Sequence, residues 1–228
     1  DLSESHPDKS IREKFKLKAD LLTPISKSWS TDVGVEVASL GIQIHGGMGF
    51  VEETGVAQFF RDSRIAPIYE GTNGIQAIDL VMRKLLISDG EGLKNFMSEF
   101  DNTLSKCMKE NNKDFQLISK NFSDAFDSVK LSTEKLSQRI KSNENYSALF
   151  VASDYLNLLG ITAGAHYLIK GALSLKDHEN RDFFESKKDM AIFFSTQILP
   201  NTVGLSKSIC SEIFELETKR IDNILGGF

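Results

Sequence analysis

Cysteine, histidine, long apolar runs and strand-like alternation are all scarce in this chain, and each shortage closes off a class of protein. The two cysteines, Cys107 and Cys210, lie far apart and outside any metal-ligand spacing. Each falls in an apolar helical pattern, which predicts a buried, reduced thiol. The four histidines show no paired ligand spacing either, so no metal site is expected. Asp154, Asn157, His166 and Lys170 interrupt the most apolar stretch. No run therefore reaches the roughly 18 clean apolar residues that a membrane span needs. A basic excess is missing too: net charge is −5, and the lysines are interleaved with acids, which excludes a nucleic-acid platform.

What is present is helical periodicity, and the fold class it predicts is all-α, a helical bundle. The chain is 40% hydrophobic and 26% charged, enough apolar content for a real core. It opens Asp-Leu-Ser-Glu-Ser with no initiator Met and no signal-peptide pattern, and we expect a fragment whose N-terminal part is missing. Residues 9–22 carry a thin apolar stripe of Ile11, Phe15 and Leu22. Thr23-Pro24 reads as an N-cap followed by proline at the first helical position. Ile25, Trp29, Val33, Val37, Leu40 and Ile44 then form one apolar face of a long helix that must stop at Gly46-Gly47. A short helical piece is expected around Val56–Arg61, and Pro67 blocks its continuation. Thr72 is the expected N-cap of a helix whose face is Ile75, Ile78, Met82 and Leu85, ending near Ser88-Asp89-Gly90.

That ending is the expected boundary between residues 1–88 and a C-terminal extension, 89–228. In the extension Leu93, Phe96, Met97, Phe100, Leu104 and Cys107 make one face. Phe115, Ile118, Phe122, Phe126 and Val129 begin a second, which Leu136 and Ile140 continue. Residues 146–175 are apolar on most sides and carry Gly160-x-x-x-Gly164, which predicts a central bundle helix with close neighbours. Helices near 183–198 and 202–224, with Pro200 between them, complete the set, and the tail Gly226-Gly227-Phe228 should fray.

Chemistry is expected between Gly41 and Leu86. Glu70 stands just before a helix, where a carboxylate ordinarily does no more than complement the helix dipole. Packed dry among Ile68, Tyr69 and other apolar groups, it would instead be a competent general base. His45-Gly46-Gly47-Met48-Gly49 is not a dinucleotide fingerprint, since no strand precedes it. It is either a helix end with a turn or a stretch of bare backbone that a flat or phosphate-bearing ligand can approach. Arg61-Asp62 reads as a structural ion pair and Arg64 as a second cation that orders the loop.

In combination, Gln-Ile-His-Gly-Gly-Met-Gly-Phe, then Phe-Arg-Asp-Ser-Arg-Ile, then Ile-Tyr-Glu-Gly-Thr resemble the C-terminal helical domain of the acyl-CoA dehydrogenases over about residues 20–88. Residues 89–228 resemble the helical extension of larger members, and the wording of the motifs is similar to a bacterial subgroup. The resemblance implies FAD as cofactor and Glu70 as the base that removes the proton α to an acyl-CoA thioester. It implies Tyr69 and Gly71 at the substrate, Thr72 on the flavin side, and Gln43, Ile44, His45, Gly46 and Gly47 against an FAD held by a neighbouring subunit. It further implies electron-transfer flavoprotein as acceptor, a homodimer or higher homo-oligomer, and a bacterial cytoplasmic location. One departure is Gly74, where many members carry a glutamine that contacts FAD. Without the family's other two domains, the chain alone should be inactive and bind FAD poorly. An acyl-CoA oxidase and a non-catalytic helical oligomerisation module remain as alternatives.

Overall fold

The computed structural model describes residues 1–212, and every regular element among them is a helix. After a single turn, α1 (Leu2–Ser5), the chain enters α2 (Lys9–His45), 37 residues capped by Asp8, whose carboxylate accepts from the Ser10 amide at 2.8 Å. The expected helix start at Thr23-Pro24 is corrected here, because α2 runs straight through Pro24. Thr23 does not cap; its hydroxyl donates back to the Ala19 carbonyl at 2.7 Å. An interior proline ordinarily costs about 3 kcal/mol. Leu21, Pro24, Ile25 and Ser28 are all buried on the core side, and that tertiary burial outweighs the local penalty. Lys84 adds a long-range tie, its ammonium 2.6 Å from Asp20.

At Gly46 (φ 59°, ψ −143°) the helix stops where the paired glycines require it. Three short helices follow, α3 (Gly47–Phe50), α4 (Val56–Ser63) and α5 (Asn73–Asp79). Thr72 caps α5, its hydroxyl accepting from the Ile75 amide. The expected face of this helix is corrected in its first half: Ile75 and Ile78 face outward and Ala77, Leu80 and Val81 are buried, while Met82 and Leu85 pack half-buried against the core as expected. A widened turn follows over Leu80–Lys84, in which the Leu85 amide reaches the Leu80 carbonyl.

Ser88, Asp89 and Gly90 all take left-handed backbone (φ 51°, 53° and 77°), turning the chain into α6 (Glu91–Met108). Gly92 lets α6 lie against α2: a Cβ there would come 3.2 Å from the Leu17 carbonyl. The remaining helices are α7 (Lys113–Lys141), α8 (Asn145–Phe150), α9 (Ala152–Ser174), α10 (Arg181–Phe193) and α11 (Asn201–Cys210). The expected faces of α6 and α7 are the buried ones, with Met97, Leu104 and Ile140 at their margins. The helix expected over 202–224 begins as α11, and its last part, like the tail, lies outside the described residues.

The central helix is α9, which packs on α2, α5, α6, α7, α10 and α11. Its Gly160 and Gly164 form a groove for the Trp29 ring of α2, so the small-residue pair is an internal packing seam. Among the described residues no helix is long and apolar enough to cross a membrane. Tyr155 is fully buried with its hydroxyl 2.7 Å from that of Thr133. Arg139 of α7 donates to the Ile209 and Ser211 carbonyls, adding a cation from across the fold to the end of α11, whose own last turn holds Lys207. One apolar cluster, from Leu21 and Val81 through Phe100 and Leu159 to Ile209, runs across residue 89.

Candidate active site

Glu70 sits in a tight loop between α4 and α5. The Tyr69 amide donates to the Ile65 carbonyl and the Asn73 amide to the carbonyl of buried Pro67, closing the loop on itself. Closure forces Glu70 to φ 53° and Gly71 to φ 85°. Gly71 adopts this freely, but a carboxylate residue pays for a left-handed backbone, and such strain persists only where the surroundings hold it. Here they do. Lys27 of α2 donates to the Gly71 carbonyl and to the Asn73 side-chain oxygen, both at 2.8 Å. Asn73 in turn donates to Asp32 at 2.7 Å and to the Ser28 carbonyl at 3.2 Å. Gln76 reaches the Glu70 carbonyl at 3.4 Å.

This staple of Lys27, Asp32 and Asn73 escaped the sequence reading. The usable signal was Lys27 and Thr31, four apart on one face of α2, beside a polar residue at the start of α5.

The condition set for a basic Glu70, packing dry among Ile68 and Tyr69, is not met by the described residues alone: the side chain is exposed, and Ile68 and Tyr69 beside it are each 52% exposed. The second segment is similarly bare. Gln43, Ile44, His45, Gly46 and Gly47 are exposed, Ile44 at 83%. The same holds for Val37 and Leu40, so the far half of the α2 stripe is left uncovered by the described residues. His45 is turned back onto its own helix, Nδ1 2.8 Å from the Gly41 carbonyl. At Gly46 and Gly47 nothing lies within 4 Å of where a Cβ would stand, which leaves the backbone open to a flat ligand. The two segments are not brought together. Along α2, Gln43 lies roughly 16 Å beyond Asp32 at 1.5 Å per residue.

The expected Arg61–Asp62 pair is also corrected. Arg61 pairs with Glu52 at 2.9 Å, and Asp62 accepts instead from Gln58 at 3.3 Å. Neighbours along a helix point away from each other, whereas Glu52 folds back across the turn at Gly55. The Arg64 guanidinium makes no ion pair among the described residues, and only its amide helps to close α4.

Of the two thiols, Cys107 is buried and donates to the Phe115 carbonyl at 3.2 Å, and burial pushes it up to about 12. Cys210 is only half-buried, a correction that follows from its place at the last turn of α11.

An all-α chain with a long helix ended by glycines and a carboxylate loop braced on that helix is what the comparisons with known proteins place. Residues 12–86 match the family described as acyl-CoA dehydrogenase, C-terminal domain, and residues 96–213 match acetyl-CoA dehydrogenase C-terminal like. The chain belongs to the acyl-CoA dehydrogenase family. Among individual relatives, it is 55% identical over 96 residues to 3-methylmercaptopropionyl-CoA dehydrogenase of Ruegeria pomeroyi, covering 42% of this chain and 16% of that protein. It is 25% and 28% identical over 217 residues to two butyryl-CoA dehydrogenases of Syntrophomonas wolfei, each match covering 92% of this chain and 35% of the relative. The chain thus spans between about a sixth and about a third of the length of these relatives.

Proposed function

We propose that this chain is the C-terminal part of an FAD-dependent acyl-CoA dehydrogenase, in which it supplies the general base and one face of the cofactor site. The observation that carries this reading is the Glu70 loop, held left-handed by Lys27 and Asn73 and ringed by uncovered apolar side chains (Ile65, Ile68, Tyr69 and Ile75). A patch of this kind marks a surface that another domain or subunit closes. Closure would exclude water from Glu70 and raise its basicity towards that of an acyl-CoA α-carbon base.

Glu70 then removes the α-proton, while its own backbone N–H donates to the thioester carbonyl oxygen and stabilises the charge that develops there. FAD, when bound, would supply the acceptor for the β-hydrogen as hydride, which would make the product the trans-2-enoyl-CoA. Tyr69 and Gly71 border the acyl group, and Thr72 faces the flavin side. Gln43, Ile44, His45, Gly46 and Gly47 offer bare backbone to an FAD carried by a neighbouring subunit. Residues 1–88 do this work, and residues 89–228 form the extension that braces it and contributes to a homo-oligomer. Electron-transfer flavoprotein reoxidises the enzyme in the bacterial cytoplasm, and 3-methylmercaptopropionyl-CoA heads the list of substrates. The chain alone is inactive.

The test is Glu70→Gln in the whole enzyme. Substrate should no longer bleach the flavin anaerobically although FAD stays bound, and wild type should reoxidise slowly in air. Bleaching that survives the substitution removes Glu70 from its role.

A further inference from the structure

Away from Glu70, the first half of α2, α6 and α9 enclose a cavity of about 530 Å³. That is within the range of small-molecule sites. Its ionisable lining is lopsided for a chain of net charge −5: Lys14, Lys18, Lys106 and Lys170 face one carboxylate, Glu99. Glu99 is already committed, both its oxygens lying 2.7–2.8 Å from the Lys18 ammonium. Lys14, Lys106 and Lys170 make no ion pair among the described residues. The rest of the lining is mixed, with Phe15, Phe96 and Leu173 giving it an apolar side and Asn95, Asn102, Thr103 and Ser174 neutral polar groups.

At the floor lies His166, 1% exposed and boxed in by Phe96, Phe100 and Tyr167. Neither ring nitrogen has a hydrogen-bond partner, and Nε2 stops 3.8 Å short of Glu99. A buried polar group left unpaired calls for a partner. Burial pushes the ring down to about 4, so at neutral pH it carries one N–H donor and one acceptor.

We propose that this cavity binds a small amphiphilic carboxylate, its head group at Lys18 with Lys106 and Lys170 drawing it in from the rim, and its apolar body against Phe15, Phe96 and Leu173. A carboxylate entering here competes with Glu99 for Lys18, and Glu99, once loosened, closes the short gap to His166. Binding thereby supplies the hydrogen bond that the empty cavity leaves unmade. The site is independent of the dehydrogenase reading, since none of its residues belongs to the Glu70 loop or the Gln43–Gly47 segment.

Hexanoate is a suitable probe, titrated into the whole chain carrying 13Cε1-labelled histidine, with the His166 signal assigned from a His166→Asn variant. Hexanoate should shift the His166 signal saturably. The Lys106→Ala/Lys170→Ala double variant, altered only at exposed positions, should need at least tenfold more. Hexylamine, of the same length but opposite charge, should leave the signal in place. An unsaturable or absent His166 shift, equal affinity in the double variant, or an equal response to hexylamine would each overturn the assignment.

Discussion

Gly160→Ala tests the central packing seam directly. A Cβ at residue 160 would stand 2.5 Å from Cγ, 2.7 Å from Cδ1 and 2.8 Å from Cβ of Trp29. Turning the indole cannot relieve this, because the Trp29 Cβ is fixed to the backbone of α2. The helices must move apart, and Trp29 must give up its edge contact with Phe194, 6.4 Å between ring centres. Overpacking of this kind costs about 1–3 kcal/mol, while alanine in place of glycine returns up to about 1 kcal/mol of helix propensity. A net loss of about 1–2 kcal/mol is expected. Gly164→Ala is the control four residues on. There the new methyl would meet only the far edges of two rings, Trp29 Cη2 at 3.1 Å and Phe194 Cζ at 3.3 Å. Those edges can yield by a few tenths of an ångström, so the change should be near neutral, within about 0.5 kcal/mol. Urea unfolding of both variants gives the comparison. In a Trp29→Ala background the cost at residue 160 should shrink, since two of the three close atoms are gone. A Gly160→Ala chain as stable as wild type would refute the geometry of the seam.

Further outcomes are expected elsewhere. Lys27→Met keeps the aliphatic stem but loses both hydrogen bonds to the Glu70 loop, so the whole enzyme should lose roughly tenfold or more in kcat with only a small change in Tm; unchanged kcat would dismiss the staple. A thiol reagent at pH 8 should label Cys210 readily and Cys107 only on unfolding, because burial holds the Cys107 thiol at about 12. Equal labelling rates in the native chain would contradict that. His166 has an acid-side signature. Burial lowers the folded ring to about 4 from an ordinary 6.5, with Lys170 and Lys18 adding to the fall and Glu99 opposing it. The unfolded chain therefore takes up the proton first. Stability is fully present above about pH 6.5, drains away as pH falls towards 4, and levels off below that, by at most about 3 kcal/mol. His166→Leu should flatten the slope in that window, and parallel stability curves for the two proteins would speak against it.

Which features were legible beforehand follows from the range of the forces involved. Caps act within a turn, so the stop at Gly46 and the cap at Thr72 could be read from neighbouring residues. Apolar periodicity works over one helix, so the buried faces of α6 and α7 were readable as well. The motif around Glu70 and the glycines at 46 and 47 carried the family, since side-chain types at fixed spacing survive without knowledge of their neighbours in space.

Tertiary structure decided what no local window contains. Proline breaks helices locally, yet Pro24 sits inside α2 because Leu21 and Ile25 are buried by helices far along the chain. The stripe from Ile25 to Ile44 has one period throughout, but α9 covers only its first part, and periodicity cannot say where the cover ends. Gly160-x-x-x-Gly164 announced a close neighbour without naming Trp29, and Glu99, Lys18 and His166 meet only because three helices converge. The amino-acid order thus determined which residues prefer to be helical and which carry the chemistry. Long-range packing determined which of them are dry, because water is excluded by whatever lies across the fold and not by the residues next in line.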